Sequence, residues 1–267
     1  MKALLQYFLK PSFGKKQLQP FYEALFRMSL RGMNYGNGGN YEESGELGVL
    51  QYIKGKLQTK NPIVVFDVGA NVGNYTKAVY KSLDGRAIIH AFEPSKKTYE
   101  SLCKNASGLK SVVLNNFGFG RAVETLTLYT NRERSGLASV YQRDLGYTGI
   151  SMDKTEEIRL STIDSYCHEN EINHIHFLKL DIEGHELSAL MGAAQVLANK
   201  KIDFIQFEFG GANIDSHTFF RNFYQLLESD YKIYRILKNG LTEISKYKNT
   251  YEIFDSINYL AERVRQT

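Results

Sequence analysis

A layered α/β domain built on a mostly parallel sheet is the fold class that the sequence predicts, and three observations predict it. Four apolar runs, "PIVVFD", "AIIHAFE", "IHFLKLD" and "IDFIQFEF", have strand length and are nearly uninterrupted, as expected of strands buried on both faces. Between such runs the pattern changes to helical spacing: Val72, Thr76, Val79, Tyr80 and Leu83 fall on one helical face. The two patterns alternate almost to the end of the chain, which places crossover helices between parallel strands.

In chain order, residues 1–58 read as a helical extension or cap, with Phe21, Leu25 and Met28 at helical spacing. A flexible break at "RGMNYGNGGNYEESGE" precedes a second helical stretch carrying Leu47, Leu50 and Ile53. Residues 59–267 read as one domain. The strand at 62–67 is followed by a helix, by "AIIHAFE", by a helix capped at Ser95 and by "SVVL". Two further strands, at 124–129 and 157–162, flank a polar stretch from 131 to 156 without periodicity, and a loop of that length reads as a lid or substrate loop. "IHFLKLD", one helix carrying Leu187, Leu190, Met191, Ala194 and Leu197, and "IDFIQFEF" repeat the unit. "YKIYRILKNGLTEI" predicts an antiparallel hairpin turning at Asn239-Gly240, and "YEIFDSINYLAERV" fits helix and strand equally.

Composition narrows the function. At 43% hydrophobic and 23% charged residues the chain is not of the disordered class. Its 33 bases against 29 acids include no run of five like charges, which argues against nucleic acid as the partner. No stretch approaches the about 18 apolar residues of a membrane span. "MKALLQYFLKP" is interrupted by Gln6 and Lys10 and lacks a small-residue cleavage site, so no secretory leader is expected. Residues 1–30 leave open an amphipathic contact with a membrane or partner, with packing onto the domain as the plainer expectation. Cys103 and Cys167 lack metal or redox spacing and read as reduced thiols of a cytoplasmic protein. A homo-oligomer is left open.

The stretch "VVFDVGANVGNYT" ends its strand at Asp67, where open parallel sheets bind ligands. Gly69 permits the turn, and Gly73 permits close approach of helix and strand. Asn71 stands where a pyrophosphate-binding turn has glycine, and Asp67 would repel a pyrophosphate while suiting an amino-bearing ligand. Glu93, twenty residues after Gly73, ends the next strand and can take both hydroxyls of a ribose, and Pro94 helps fix its direction. Together these residues fit S-adenosylmethionine (SAM) better than NAD.

A second constellation, "FLKLDIEGHELSALMGA", ends a strand at Asp181 and adds Glu183, His185 and Glu186 within five residues, at a helix starting near Gly184. Glu208 ends the neighbouring strand, with Gln206 on the same face, and can stand beside Asp181.

With "SGELGVL", "FDVGANVGNYT", "AFEPS", "NNFGFG", "LSTIDSY", "LKLDIEGHELSALMGA" and "FEF", the chain resembles the FkbM-family class I SAM-dependent methyltransferases from about Ser44 to Glu208. Ser44 stands where Asn is frequent in the family and Gly118 where Ala is usual. The resemblance implies a Rossmann-like, mostly parallel seven-stranded sheet and an O-methyltransferase acting on a hydroxyl of a sugar, glycan or polyketide-type product. It implies that Asp67 and the turn Gly69, Ala70, Asn71 and Gly73 hold the methionine end of SAM, with Tyr75 and Thr76 nearby. Glu93 would bind the ribose, and Asn116 and Phe117 would lie near the adenine.

A sugar hydroxyl is a poor nucleophile, so a base or metal should help remove its proton. Asp181 and His185 are the candidate bases, with Glu208 orienting the acceptor; Asp181 and Glu208 are also the pair that suits Mg²⁺. His174 and His176 lack a third ligand nearby in sequence and read as packing or surface residues. The competing readings are a SAM-binding protein without turnover and, against Asp67 and Asn71, a nicotinamide-dependent oxidoreductase.

Overall fold

The computed structural model describes residues 10–39 and 41–264. The part of the predicted N-terminal extension at 1–9 lies outside them. Two helices precede the sheet, α1 (Gln19–Gly32) and α2 (Glu46–Lys56). The alternating part then runs β1 (Ile63–Val68), α3 (Asn74–Ser82), β2 (Ala87–Phe92), α4 (Lys96–Ala106) and β3 (Val112–Asn115). A short β4 (Gly118–Phe119), β5 (Glu124–Thr130) and β6 (Lys154–Ser161) follow, then α5 (Ile163–Glu169), β7 (Ile175–Leu180), α6 (Glu186–Met191), α7 (Ala194–Ala198) and β8 (Ile202–Phe209). The chain closes with α8 (Ala212–Asp215), α9 (Phe220–Leu227), β9 (Tyr231–Leu237), β10 (Gly240–Glu243) and β11 (Ile257–Arg263).

The main sheet has the order β10-β9-β11-β8-β7-β1-β2-β3. Its five strands from β3 to β8 are parallel, whereas β11 pairs antiparallel with both β8 and β9. The expected hairpin is β9–β10, with Leu237 opposite Gly240, and β10 is an eighth, edge strand. The segment that fitted helix and strand equally is β11, inserted between β8 and β9. Its Tyr259, Leu260 and Ala261 are fully buried there, an environment that favours a central strand.

One face of the sheet packs on α2 and α3 through Leu50, Ile53, Val65 and Val79. The other carries an aromatic cluster in which Phe66, Phe92, Phe119 and Tyr166 meet at centroid distances of 4.5–6.4 Å. The single helix expected over 187–197 is instead two. Gly192 packs on the carbonyl of Gly120, and the Asp164 carboxylate accepts from the backbone N–H groups of Gln195 and Val196 at 2.8 and 3.0 Å, capping a new helix start.

Strand order reverses between β1 and β7: from β1 the chain steps outward to β2 and β3 and then returns to the other flank. Beyond the carboxyl ends of these strands lies the crevice in which such sheets bind ligands. A second sheet, β4-β6-β5, stands over that end, and residues 131–153 arch from it across the crevice.

Candidate active site

Register builds the floor of the site. Asp67 pairs with Lys179, and Lys179 with Gln206, so three polar side chains form a row across β1, β7 and β8 on one face. All three are buried, a burial that costs free energy unless each finds partners. Asp67 Oδ2 accepts from Thr76 Oγ1 at 2.6 Å. Lys179 Nζ donates to Asp181 Oδ2 at 2.8 Å and lies 4.6 Å from the centre of the Tyr75 ring. Gln206 donates to Glu46 Oε1 at 2.5 Å and accepts from Tyr75 at 3.3 Å. Glu46 comes from α2, where Ser44 Oγ donates to its other oxygen, so the N-terminal extension reaches under the site. Burial opposes the charge on Lys179, but Asp181, Asp67 and Glu46 outweigh it and raise its pKa.

The turn after β1 sits directly against the loop after β7. Gly69 has φ +82°, and a Cβ there would lie 1.9 Å from the carbonyl oxygen of Asp181. Gly73, at φ +87°, meets Leu102 of α4 rather than a strand, a closer reason for its lack of a side chain than the helix–strand approach expected. Asn71 adopts φ +49° and its N–H donates to Glu93 Oε2 at 3.0 Å, while Ser95 N–H holds Oε1 at 2.9 Å. Burial nevertheless raises Glu93 to about 7.

The crevice cavity holds about 80 Å³ and is lined by Gly69, Asn71, Glu93, Asp181, Glu183 and His185, with an apolar roof that includes Leu128, Val140 and Leu160. Five of the expected site residues therefore share one cavity: Gly69, Asn71, Glu93, Asp181 and His185. Asp67, Ala70, Gly73, Tyr75 and Thr76 do not line it. Asp67 is fully enclosed, and its Oδ1 has no hydrogen-bond partner among the described residues. Asn116 turns its amide to the carbonyls of Glu93 and Pro94, holding the strand end, and Phe117 joins the aromatic cluster.

On the opposite rim the carboxylates of Asp181, Glu183 and Glu208 approach within 4.8 Å of one another. Burial and then its neighbours Asp181 and Glu183 push Glu208 well above the usual carboxyl range, and Ser256 donates to it. Burial and Asp181 raise Glu183 to about 8, against the pull of Arg143, whose Nη1 lies 2.5 Å from Glu183 Oε2. Glu186 is fully buried and accepts from the N–H groups of Ile182 and Gly184 at 2.9 and 3.2 Å, so it fixes the loop that carries Asp181 and Glu183. His185 is buried as well, in hydrogen-bond contact with Tyr141 through Nδ1 at 2.9 Å, and burial lowers its pKa to about 4.

The stretch expected to act as a lid supplies these contacts. Ser139 Oγ donates to the Glu183 carbonyl at 2.7 Å, Tyr141 meets His185, and Arg143 also reaches Asp215 at 3.5 Å. Arg143, Tyr141 and Lys179 were not among the expected site residues. Arg143 and Tyr141 lie in an aperiodic stretch and meet partners about forty positions away, which no local pattern reports. Lys179 did carry a signal, as the one charged residue inside an otherwise apolar strand.

His174 and His176 lie at the opposite end of β7, within metal-ligand reach of Asp203. The set is already engaged: His176 Nδ1 accepts from Val64 N–H at 3.0 Å, and Asp203 takes Arg263 at 2.7 Å and His174 at 2.9 Å.

A model of the FkbM methyltransferase domain matches residues 67–235, which include the turn, Glu93 and the acidic rim. The hexuronic acid methyltransferase AglP of Haloferax volcanii is 26% identical over 148 residues, and the match spans 55% of this chain and 56% of that protein, a little over half of its length. Among solved structures, an O-methyltransferase from Bacillus cereus in complex with SAH aligns at TM-score 0.44 and 12% identity over 98% of this chain and 97% of that one. Aeropyrum pernix fibrillarin with natively bound SAM aligns at TM-score 0.42 and 11% identity, over 80% and 73%. With the family model covering more than half of its length, the chain belongs to the FkbM methyltransferase family.

Proposed function

We propose that the protein is a SAM-dependent O-methyltransferase whose acceptor is a hydroxyl of a sugar or glycan. The observation that carries this reading is the backbone contact between Gly69 and Asp181, which sets a candidate cofactor turn and a candidate base against one cavity. The relative named for hexuronic acid supports a sugar among the acceptors open to the family.

SAM, when bound, supplies a methyl group on a sulfonium, a leaving group that needs no protein assistance. The residues fit it: Glu93 presents a carboxylate at the cavity for the ribose hydroxyls, and Asp67 Oδ1 is an unpaired buried acceptor beneath the turn, suited to holding positive charge close by. At about 80 Å³ the cavity is smaller than the roughly 300–1,000 Å³ of small-molecule sites, so residues 131–153 act as a lid that shifts to admit ligands and then closes, without 154–156 of the expected stretch, which are held in β6. Closure brings Val140 against Leu128 and Leu160 of the second sheet, over the reacting groups, and excludes water.

Asp181 takes the proton from the acceptor hydroxyl. Lys179 on its Oδ2 holds it in place, and Glu208, in its proton-bearing form, donates a hydrogen bond that orients the sugar. His185 is neutral and weakly basic in its pocket, and it serves the site by positioning Tyr141 and the lid. The three rim carboxyls fit a divalent cation poorly, because Lys179 already pairs with Asp181 and burial favours the protonated forms of Glu183 and Glu208. Chelators should leave turnover within about twofold.

Calorimetric titration with SAM, with NADH in parallel, followed by labelled-methyl transfer to neutral and uronic sugars with and without chelator, tests the reading. SAM binding with transfer to a hydroxyl supports it. NADH binding, or SAM binding without transfer to any sugar, overturns it.

A further inference from the structure

Helix α1 lies outside the region matched by the family model and is barely attached to the domain: of its fourteen residues only Leu30 is buried. Phe21, Leu25 and Met28 follow one another at i, i+4 and i+7 and form one stripe, while Phe26 lies about 140° round the helix from Phe21. They are 57%, 37%, 64% and 60% exposed, and Phe13, just before the helix, is 50% exposed. At roughly 100° per residue Arg27 and Arg31 lie about 120° and 80° round from Phe21 and flank one edge of that stripe. Lys10, Lys15 and Lys16 lie on the approach to the helix, all exposed. Residues 1–33 contain six of the chain's 33 bases and one of its 29 acids, Glu23, so this segment carries the whole positive excess of the protein.

A soluble surface helix hides its apolar stripe against its own domain. Here that stripe faces outward beside a concentrated positive charge, the pattern of a helix lying in a lipid interface. Charge selects the occupant: two copies of this segment would repel one another, whereas an anionic bilayer attracts it and accepts its aromatic and aliphatic side chains. We propose that α1, with the basic residues leading into it, docks the protein on an anionic membrane surface.

The consequence for the site follows from the connection. Directly after α1 the Asn34 amide donates to the carbonyls of Ser44 and Ile236 at 2.8 and 3.1 Å, and Gly36 N–H donates to Ser256 at 2.9 Å. Ser256 in turn donates to Glu208. The anchor is therefore tied to the acidic rim and holds that rim near the bilayer.

The test is co-sedimentation of the full chain with vesicles of phosphatidylcholine alone and with about one third phosphatidylglycerol, at low and high salt. Binding to the anionic vesicles only, weakened by salt, is expected. Phe21→Glu/Met28→Glu and, separately, Lys15→Glu/Lys16→Glu/Arg27→Glu should each lower the bound fraction roughly tenfold while leaving melting temperature and SAM affinity unchanged. No binding to anionic vesicles, or binding that both variants retain, overturns the proposal. So does a concentration-dependent dimer that Phe21→Glu/Met28→Glu dissociates in the absence of vesicle binding.

Discussion

Replacing Gly69 with Ala adds a single methyl group, and its effect can be worked from two numbers. At φ +82° an L-residue is strained by about 1–2 kcal/mol. The added Cβ would lie 1.9 Å from the Asp181 carbonyl oxygen, and ordinary contact begins at 3.4 Å, so the β1 and β7 loops must part by about 1.5 Å. Neither partner is a flexible side-chain tip; both are backbone at the centre of the sheet. Overpacking of this kind costs about 1–3 kcal/mol, which with the strain amounts to about 2–5 kcal/mol. A domain of this size then melts lower by about 5–15 °C. The same displacement moves Asp181 relative to the proposed cofactor turn, and a misplacement near 1 Å lowers turnover roughly a hundredfold. Urea and thermal melts report the first effect, and labelled-methyl transfer at saturating SAM, well below the melting temperature, reports the second. A folded Gly69→Ala protein with wild-type turnover would refute the claim that these loops register the reacting groups.

Three further outcomes are expected. Asp67→Asn should weaken SAM binding by about tenfold in calorimetry, because it removes a buried charge beneath the turn without changing its shape. Asp181→Ala should bind SAM normally and lose about 10²–10⁴ of turnover, and normal turnover would remove it from the role of base. Stability should fall as pH rises from 6.5 to 8.5. Glu93, Glu183 and Glu186 have folded-state values of about 7, 8 and 8 against an ordinary 4.5, so their contribution is complete below 4.5 and is lost as pH rises through 7 and 8. His90, His176 and His185, lowered to about 4 from 6.5, act in the opposite sense, but only between those two values. Melting curves at pH 6.5 and 8.5 isolate the carboxyl effect, and a rising melting temperature across that window would contradict it.

Much of this arrangement is legible along the chain because it is local. Strands β1, β2, β7 and β8 announce themselves as apolar runs, and a turn at a strand end must face the crevice, so Gly69, Asn71, Glu93, Asp181 and His185 meet in one cavity. The enclosure of Asp67 is not legible, since whether a strand-end acid lines a pocket or lies beneath it depends on the turn's left-handed residues. The Arg143–Glu183 clamp and the Glu46–Gln206 bond join residues 40 and 160 positions apart, and periodicity carries no information at such separations. The helix break at Gly192 is invisible locally because its cap, Asp164, comes from another helix.

Strand β11 gives the protein a constraint on how it is made. The hairpin β9–β10 touches the rest of the sheet through residues 257–263, which a ribosome produces after every other strand. Until then β8 presents a long apolar edge, with Phe207 and Phe209 beside an open row of hydrogen-bonding groups, and the nascent chain is most adhesive just before β11 emerges. Folding of the sheet cannot be completed during translation of the earlier strands, and a chain stopped short of Ile257 should aggregate rather than yield a smaller domain.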